Sequence, residues 1–241
     1  MGKRALLHRK KYLYMTYNYS MRAVSPFKWG PSAWALLHLI SFNPDISMQK
    51  AKGFLRTLKE ILPCPMCREH FADNLEDLNF PRTPARLGKW MYDLHERVNN
   101  NLDKKHKMSY EKVKHVWQGN LDEVKGFQHL DLWKFLLSIV EAHPGKHVVT
   151  KEYMKASKAF WELLADVLPN SMIDAKDHLT KYMEKFAIDD DVLVSRAKYK
   201  VWVERLYKEF EGREISQRLN IATDARSCQK HVCTPSRSHS L

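Results

Sequence analysis

Prolines 63 and 65 stand on either side of Cys64 in the run Ile61-Leu62-Pro63-Cys64-Pro65-Met66-Cys67, and few stretches dictate local structure as firmly. Pro63 has no N–H with which to continue the helical-period segment before it. Pro65 suits the first position of a new helix, where its fixed φ is already correct. Cys64 then becomes an N-cap and Cys67 lies one turn inward. Backbone amides and the positive end of the helix dipole favour negative charge at that point, the electrostatic setting for disulfide exchange. The pair therefore reads as a redox disulfide, an inert structural disulfide or part of a metal site. For zinc, Cys64, Cys67 and His70 would supply three ligands and His95 a fourth, but a structural zinc site draws on a second close pair of ligands. No metal is expected.

Helical periodicity runs through most of the chain. Residues 29–42, WGPSAWALLHLISF, are almost wholly apolar after Pro31 and show no two-residue alternation. They read as a helix buried on most sides, with Pro31 in its first turn and Gly30 or Ser32 near the cap. Asn43-Pro44-Asp45 stops it. Ala51, Phe54, Leu55, Leu58 and Ile61 place a second helix over 48–62, and the third runs from the cysteine motif to about Leu78. Leu87, Trp90, Met91, Leu94, Val98 and Leu102 place a fourth over 85–103, with a short fifth at about 109–117. Short connections between apolar-faced helices define an all-α bundle of four or five helices. Eight glycines in 241 residues, and ten Phe, ten Tyr and seven Trp, agree with a helical chain that buries a sizeable core.

After Gly119 and Gly126 the pattern restarts, with helices expected over 130–140 and 151–168. Setting Val167-Leu-Pro-Asn-Ser-Met-Ile173 beneath Ile61-Leu-Pro-Cys-Pro-Met-Cys67 aligns Leu, Pro and Met, with Asn170 and Ile173 in the cysteine places. Val201–Tyr207 falls roughly where Val98–Leu102 does. A degenerate internal repeat is the reading. From about Gly212 the chain turns polar, yet it carries the other two cysteines, Cys228 and Cys233, spaced C-x4-C.

The net charge of +12 would suit an acidic partner. Seven Lys or Arg and no acid lie between Met1 and Lys28, whereas both signs mix along the later helical faces, which describes a basic arm rather than a nucleic-acid surface. No stretch reaches the roughly 18–20 apolar residues of a membrane helix, and no secretory leader follows the basic start.

The surroundings of the cysteine pair single out one of its chemistries. Trp29-Gly30, Trp34 and His38 on the first helix, Cys64-x-x-Cys67 opening the third, and His95-x3-Asn99-x2-Leu102-x-Lys104 on the fourth together resemble the Erv/ALR family of FAD-linked sulfhydryl oxidases over about residues 27–118. The resemblance implies a small helical bundle that holds FAD non-covalently, with the disulfide beside the flavin. It further implies cofactor-pocket positions at Trp29, Gly30, Trp34, His38, His95, Asn99, Leu102, Lys104 and Trp117. Cys67 would be the sulfur nearest the flavin and Cys64 the interchange sulfur. The spacing is compatible: Trp34 and His38 are four apart on one helical face, as are His95 and Asn99. Two positions depart from the family. Pro31 stands where an Arg often follows Trp-Gly, leaving a phosphate contact to another residue such as Lys107, and Ser109 stands near the first cysteine of a second disulfide.

What the resemblance implies is a thiol oxidase that forms disulfides in a protein substrate and passes electrons to O2, giving H2O2. Cys228 and Cys233 would act as a shuttle pair on the tail, and the enzyme would be a homodimer. The expected division is a basic arm (1–26), an FAD-binding oxidase domain (27–120), a second helical domain that is a cofactor-free copy of the first (121–212) and a tail (213–241). A large-DNA-virus enzyme in host cytoplasm fits the chain, and the mitochondrial intermembrane space is the second choice. The competing class is a basic helical binding or scaffold protein whose cysteine pair is structural or holds zinc.

Overall fold

The computed structural model describes residues 23–104, 108–120 and 123–215, and within these the chain is helical with no strand. Five helices form a first unit: α1 (Pro26–Ser41), α2 (Met48–Ile61), α3 (Pro65–Asp77), α4 (Pro84–Asn101) and α5 (Tyr110–Asn120). A short 3-10 turn (Phe127–Leu130) leads into α6 (Leu132–Glu141) and α7 (Lys151–Val167). A second turn (Asn170–Met172) leads into α8 (Ile173–Lys185), the single-turn α9 (Asp190–Leu193) and α10 (Arg196–Glu211). None of these helices is long and apolar enough to cross a membrane.

The starts are set by local chemistry. Pro26, Pro65 and Pro84 each open a helix, where a missing N–H costs nothing. Ser47, Thr150 and Ser195 cap α2, α7 and α10 by accepting backbone N–H groups three residues on. Gly212, at φ 63°, closes α10 in the left-handed conformation. The first helix departs from expectation: it begins at Pro26, so Pro31 sits inside it rather than in its first turn. Pro31 can make no bond to the carbonyl of Phe27, and because Phe27 is exposed, water can satisfy that group.

Two helix pairs dominate the packing. α2 lies along α7 and α1 along α6, so 26–101 and 127–211 share one continuous apolar core. At its centre the rings of Phe54 and Phe160 stack with centroids 5.0 Å apart. Asn43, after α1, donates to the carbonyls of Val167 and Leu168 at the end of α7, both at 3.4 Å, and Lys50 pairs with Asp166 at 2.6 Å. Within the first unit, α4 crosses close to the end of α1. A Cβ on Gly88 would stand 2.7 Å from the Phe42 ring, so only glycine fits there. This crossing sets His38 against His95.

Candidate functional site

Cys64 is the N-cap of α3 and Pro65 its first residue, as the sequence dictates. The Cys64 Sγ accepts the Cys67 backbone N–H at 3.3 Å, so the first turn holds the two sulfurs on one side of the helix. Arg68 braces that turn by donating from Nη1 to the Glu60 carbonyl at 2.9 Å, across the Pro63–Pro65 corner. Upstream, the Val24 N–H donates to the Pro63 carbonyl at 2.9 Å, laying the start of the described chain over the same corner. Cys64 is fully buried and Cys67 half-buried.

In the same unit, three helices converge on a cluster of rings. Trp34 and His38 project from α1, His95 from α4 and Trp117 from α5. The Trp34 and His95 rings stack at 3.8 Å and 7°, and His38 lies 5.6 Å from Trp117. His38 Nε2 and His95 Nδ1 share a hydrogen bond at 3.0 Å. Burial lowers the His38 pKa to about 4. Burial, together with His38 and the Lys104 charge, lowers that of His95 to about 3. Both imidazoles are neutral at pH 7, so one nitrogen of the pair donates and the other accepts.

Asn99 closes the corner from the end of α4. Its Nδ2 donates to Glu96 Oε1 at 3.1 Å, and its carbonyl accepts the Leu102 and Lys104 N–H groups at 3.2 and 3.1 Å as the chain turns through Asp103 at φ 55°. Two buried polar atoms at this corner have no partner, His38 Nδ1 and Asn99 Oδ1. Buried groups of this kind are ordinarily satisfied; Trp90 Nε1 and Ser171 Oγ are unpartnered elsewhere, but only this pair lies among stacked rings with capacity for a ligand's donors and acceptors. A flat heteroaromatic ring system fits the set: aromatic faces to stack on, and neutral nitrogen and oxygen atoms for its edges.

The remaining expected positions are divided. Leu102 (43% exposed) and Lys104 lie at the rim, where Lys104 can offer its charge to an anionic part of a ligand. Gly30 faces open space. Trp29 does not join the cluster: it donates from Nε1 to the Val24 carbonyl at 2.9 Å and packs on Phe135 of α6, 5.8 Å between centroids. Lys107, Cys228 and Cys233 lie outside the described residues, within which no cluster of three or more metal-ligating side chains occurs. Reasoning from the sequence overlooked Arg68 and its brace to Glu60, although the residue adjoins Cys67.

The described residues make a helical protein with a cysteine pair at the N-terminus of α3 and a buried cluster of rings between α1, α4 and α5. The model of the Erv1/Alr family matches residues 31–118. An FAD-linked sulfhydryl oxidase of African swine fever virus is 30% identical over 104 residues, 39% of this chain and 82% of that protein. The mitochondrial FAD-linked sulfhydryl oxidase ERV1 of Saccharomyces cerevisiae is 33% identical over 82 residues, 31% of this chain and 43% of that protein. No solved structure matches. The chain belongs to the Erv1/Alr family.

Proposed function

We propose that the chain is an FAD-dependent thiol oxidase that joins two thiols of a protein substrate into a disulfide and reduces O2 to H2O2. The observation that carries this reading is the pair of orphaned buried atoms, His38 Nδ1 and Asn99 Oδ1, among the rings of Trp34, His95 and Trp117 in the same unit as the Cys64/Cys67 pair. FAD, when bound, supplies the two-electron acceptor for a dithiol and the donor to oxygen. Trp34, His95 and Trp117 offer it ring faces, His38 and Asn99 offer hydrogen bonds, and Lys104 offers a cation for the diphosphate. The neutrality of His38 and His95 matters here. Both serve as hydrogen-bonding groups rather than as charges, and a buried imidazolium would repel Lys104.

The protein's own part is thiol–disulfide exchange. A substrate thiolate attacks the Cys64–Cys67 disulfide at Cys64, forming a mixed disulfide and releasing Cys67 as thiolate. A second substrate thiolate then attacks the mixed disulfide and releases Cys64, so the substrate has lost two electrons and two protons and the pair has gained them. The overall balance is two thiols and O2 to one disulfide and H2O2. Because Cys64 is fully buried, uncovering it is a required part of the exchange. A small dithiol reacts at Cys64 in this direct way; for the protein substrate the incoming thiolates are those of the shuttle pair Cys228 and Cys233, which takes the substrate's two electrons first and hands them on by the same exchange.

The visible absorption of the desalted protein tests the reading. Flavin bands at about 370 and 450 nm, released as FAD on denaturation, are expected. A colourless protein that cannot be reconstituted with FAD would leave the binding-protein class, and binding that weakens steeply with salt would then identify a nucleic-acid partner.

A further inference from the structure

α3 opens with the cysteine pair, yet of its 13 residues only Phe71 and Asn74 are buried. Met66, Glu69, Asp73 and Glu76 fall at helical spacing on the opposite side, Met66 half-buried and the three acids exposed. Asp77 pairs with Arg97 of α4 at 3.0 Å, whereas Glu69, Asp73 and Glu76 make no ion pair among the described residues. With four acids and one base, Arg68, the helix has a net charge of −3 in a chain of +12. The far end of this row is also the negative end of the helix dipole, which adds to the preference for cations there.

The chain itself brings cations to this face. The described residues begin at Ala23, and the Val24 N–H is held by the Pro63 carbonyl at 2.9 Å, one residue before Cys64. Residues 1–22 therefore leave from the corner at which α3 starts. They contain Lys3, Arg4, Arg9, Lys10, Lys11 and Arg22 and no acid. Lys11 lies far enough from Val24 in sequence to reach about 43 Å, twice the roughly 20 Å length of α3. Apolar groups are open at the same corner: Phe27, three residues past the pin, is 55% exposed, and the arm carries Tyr12, Tyr14, Tyr17 and Tyr19 to set against it and Met66. The tail beyond Ile215 is basic too, but it contains Asp224 and departs after α10 rather than from this corner.

We propose that residues 1–22 dock along the Met66–Glu76 face of α3 and stand over the Cys64–Cys67 turn as a gate to thiol exchange, held chiefly by charge. The docking itself needs no cofactor, and only its consequence for exchange rests on the oxidase reading. An incoming thiolate reaches the pair by displacing the arm, so rising salt opens the gate.

Carbodiimide coupling of the full-length protein tests the docking. Lys50 and Asp166, 2.6 Å apart, supply the control product. A peptide joining Lys3, Lys10 or Lys11 to Glu69, Asp73 or Glu76 is expected beside it from the denatured single-chain band. Coupling of those acids to Lys230 would make the tail the occupant, and recovery only at double mass would make it the arm of another chain. Either result overturns the proposal, as does the absence of any such product beside a normal control. The gate is read from the rate at which iodoacetamide, a neutral reagent, alkylates Cys67 in the reduced protein. Glu69→Gln, Asp73→Asn and Glu76→Gln together should raise that rate roughly three- to tenfold at low salt, as the loss of a few exposed ion pairs would. Salt at about 1 M, where the Debye length is about 3 Å, should raise the parent to the same rate and leave the variant unchanged. An equal rate in parent and variant at low salt would show that the arm guards nothing. A protein that holds no flavin but gives the coupled peptide and the salt-dependent rate would sink the oxidase reading while the docking stands.

Discussion

The corner formed by α1, α4 and α5 and the corner formed by α6 and α10 are both built between helices, and they treat their polar atoms differently. In the first, two buried polar atoms lack partners and the rings are supplied by Trp34, His38, His95 and Trp117. In the second, aromatic side chains fill the space and the Trp133 N–H is paired with Glu211. A fold that leaves hydrogen-bonding groups unsatisfied loses about 1–3 kcal/mol for each. That loss is tolerable where a ligand completes the set, whereas between α6 and α10 the Trp133 N–H finds its partner within the protein. On the proposed function, the first unit thus binds the cofactor and the second supports it.

The sharpest way to break this contrast is to treat matching positions alike. Cys67→Ser is expected to reduce oxygen consumption with a small dithiol to background, a loss of more than about 1000-fold, since no second sulfur remains to close the exchange. Ile173→Ser, at the matching position and half exposed, is expected to leave the rate unchanged. A comparable loss in the second variant would mean that the second unit takes part in the chemistry.

At the seam the two units should instead respond together. Phe54→Ala and Phe160→Ala each remove a fully buried ring, at about 3–5 kcal/mol apiece. Because the two rings stack on each other, the double variant should cost less than the sum of the singles. Thermal unfolding followed by tryptophan fluorescence should show one transition that falls in either single variant. Two transitions, only one of them moved by Phe160→Ala, would show that the units fold independently.

A smaller effect separates two glycines. At Gly88 an added Cβ would meet the rigid Phe42 ring at 2.7 Å, so Gly88→Ala should lower stability by about 1–3 kcal/mol and disturb the α1–α4 crossing that positions His38 and His95. At Gly53 the added Cβ would meet only Leu163 Cδ1, the movable end of a side chain, at 3.2 Å. There the helix preference for Ala, up to about 1 kcal/mol, should offset the crowding, leaving the melting temperature within a few degrees of the parent.

Much of this organisation was legible in the residues. The helix break at Pro63, the cap at Cys64 and the restart at Pro65 were readable because proline geometry is local. The candidate pocket positions on α1 and α4 followed from the family resemblance, with which their four-residue spacing is compatible. The direction of Trp29 was not, since whether that ring faces the corner or the core depends on Phe135, more than 100 residues away. The expected repeat shows in the sequence over Val167–Ile173, and Leu36-Leu37 and Pro44 likewise have Leu136-Leu137 and Pro144 at one spacing. Elsewhere it persists as backbone bonds at Asn43 and His143, which different side chains make equally well. The start of α1 was misplaced because Pro31 looked like a first-turn residue, while Pro26, three residues before Trp29, holds that role.

The gentlest test uses protons. His38 and His95 in the first unit have pKa values lowered to about 4 and about 3, chiefly by burial, against 6.5 for a free imidazole. His143 in the second is lowered as well, also chiefly by burial, with the Leu193 carbonyl pulling the other way. A histidine of this kind binds a proton more readily in the unfolded chain. Its contribution is therefore complete above pH 6.5 and is lost as the pH falls through 6.5 toward the folded value. By pH 5 each first-unit imidazole should cost roughly 1–2 kcal/mol, so the melting temperature should fall between pH 7 and pH 5. His38→Gln should flatten that fall while lowering FAD retention, because it removes a titrating ring from the binding corner. His143→Gln should change the pH profile with no effect on FAD retention, since its nitrogens serve only the Leu193 carbonyl and the Gly145 N–H. If His143→Gln also released flavin, the supporting unit would be shaping the binding corner across the α1–α6 and α2–α7 contacts, and the division between the two units would be one of degree.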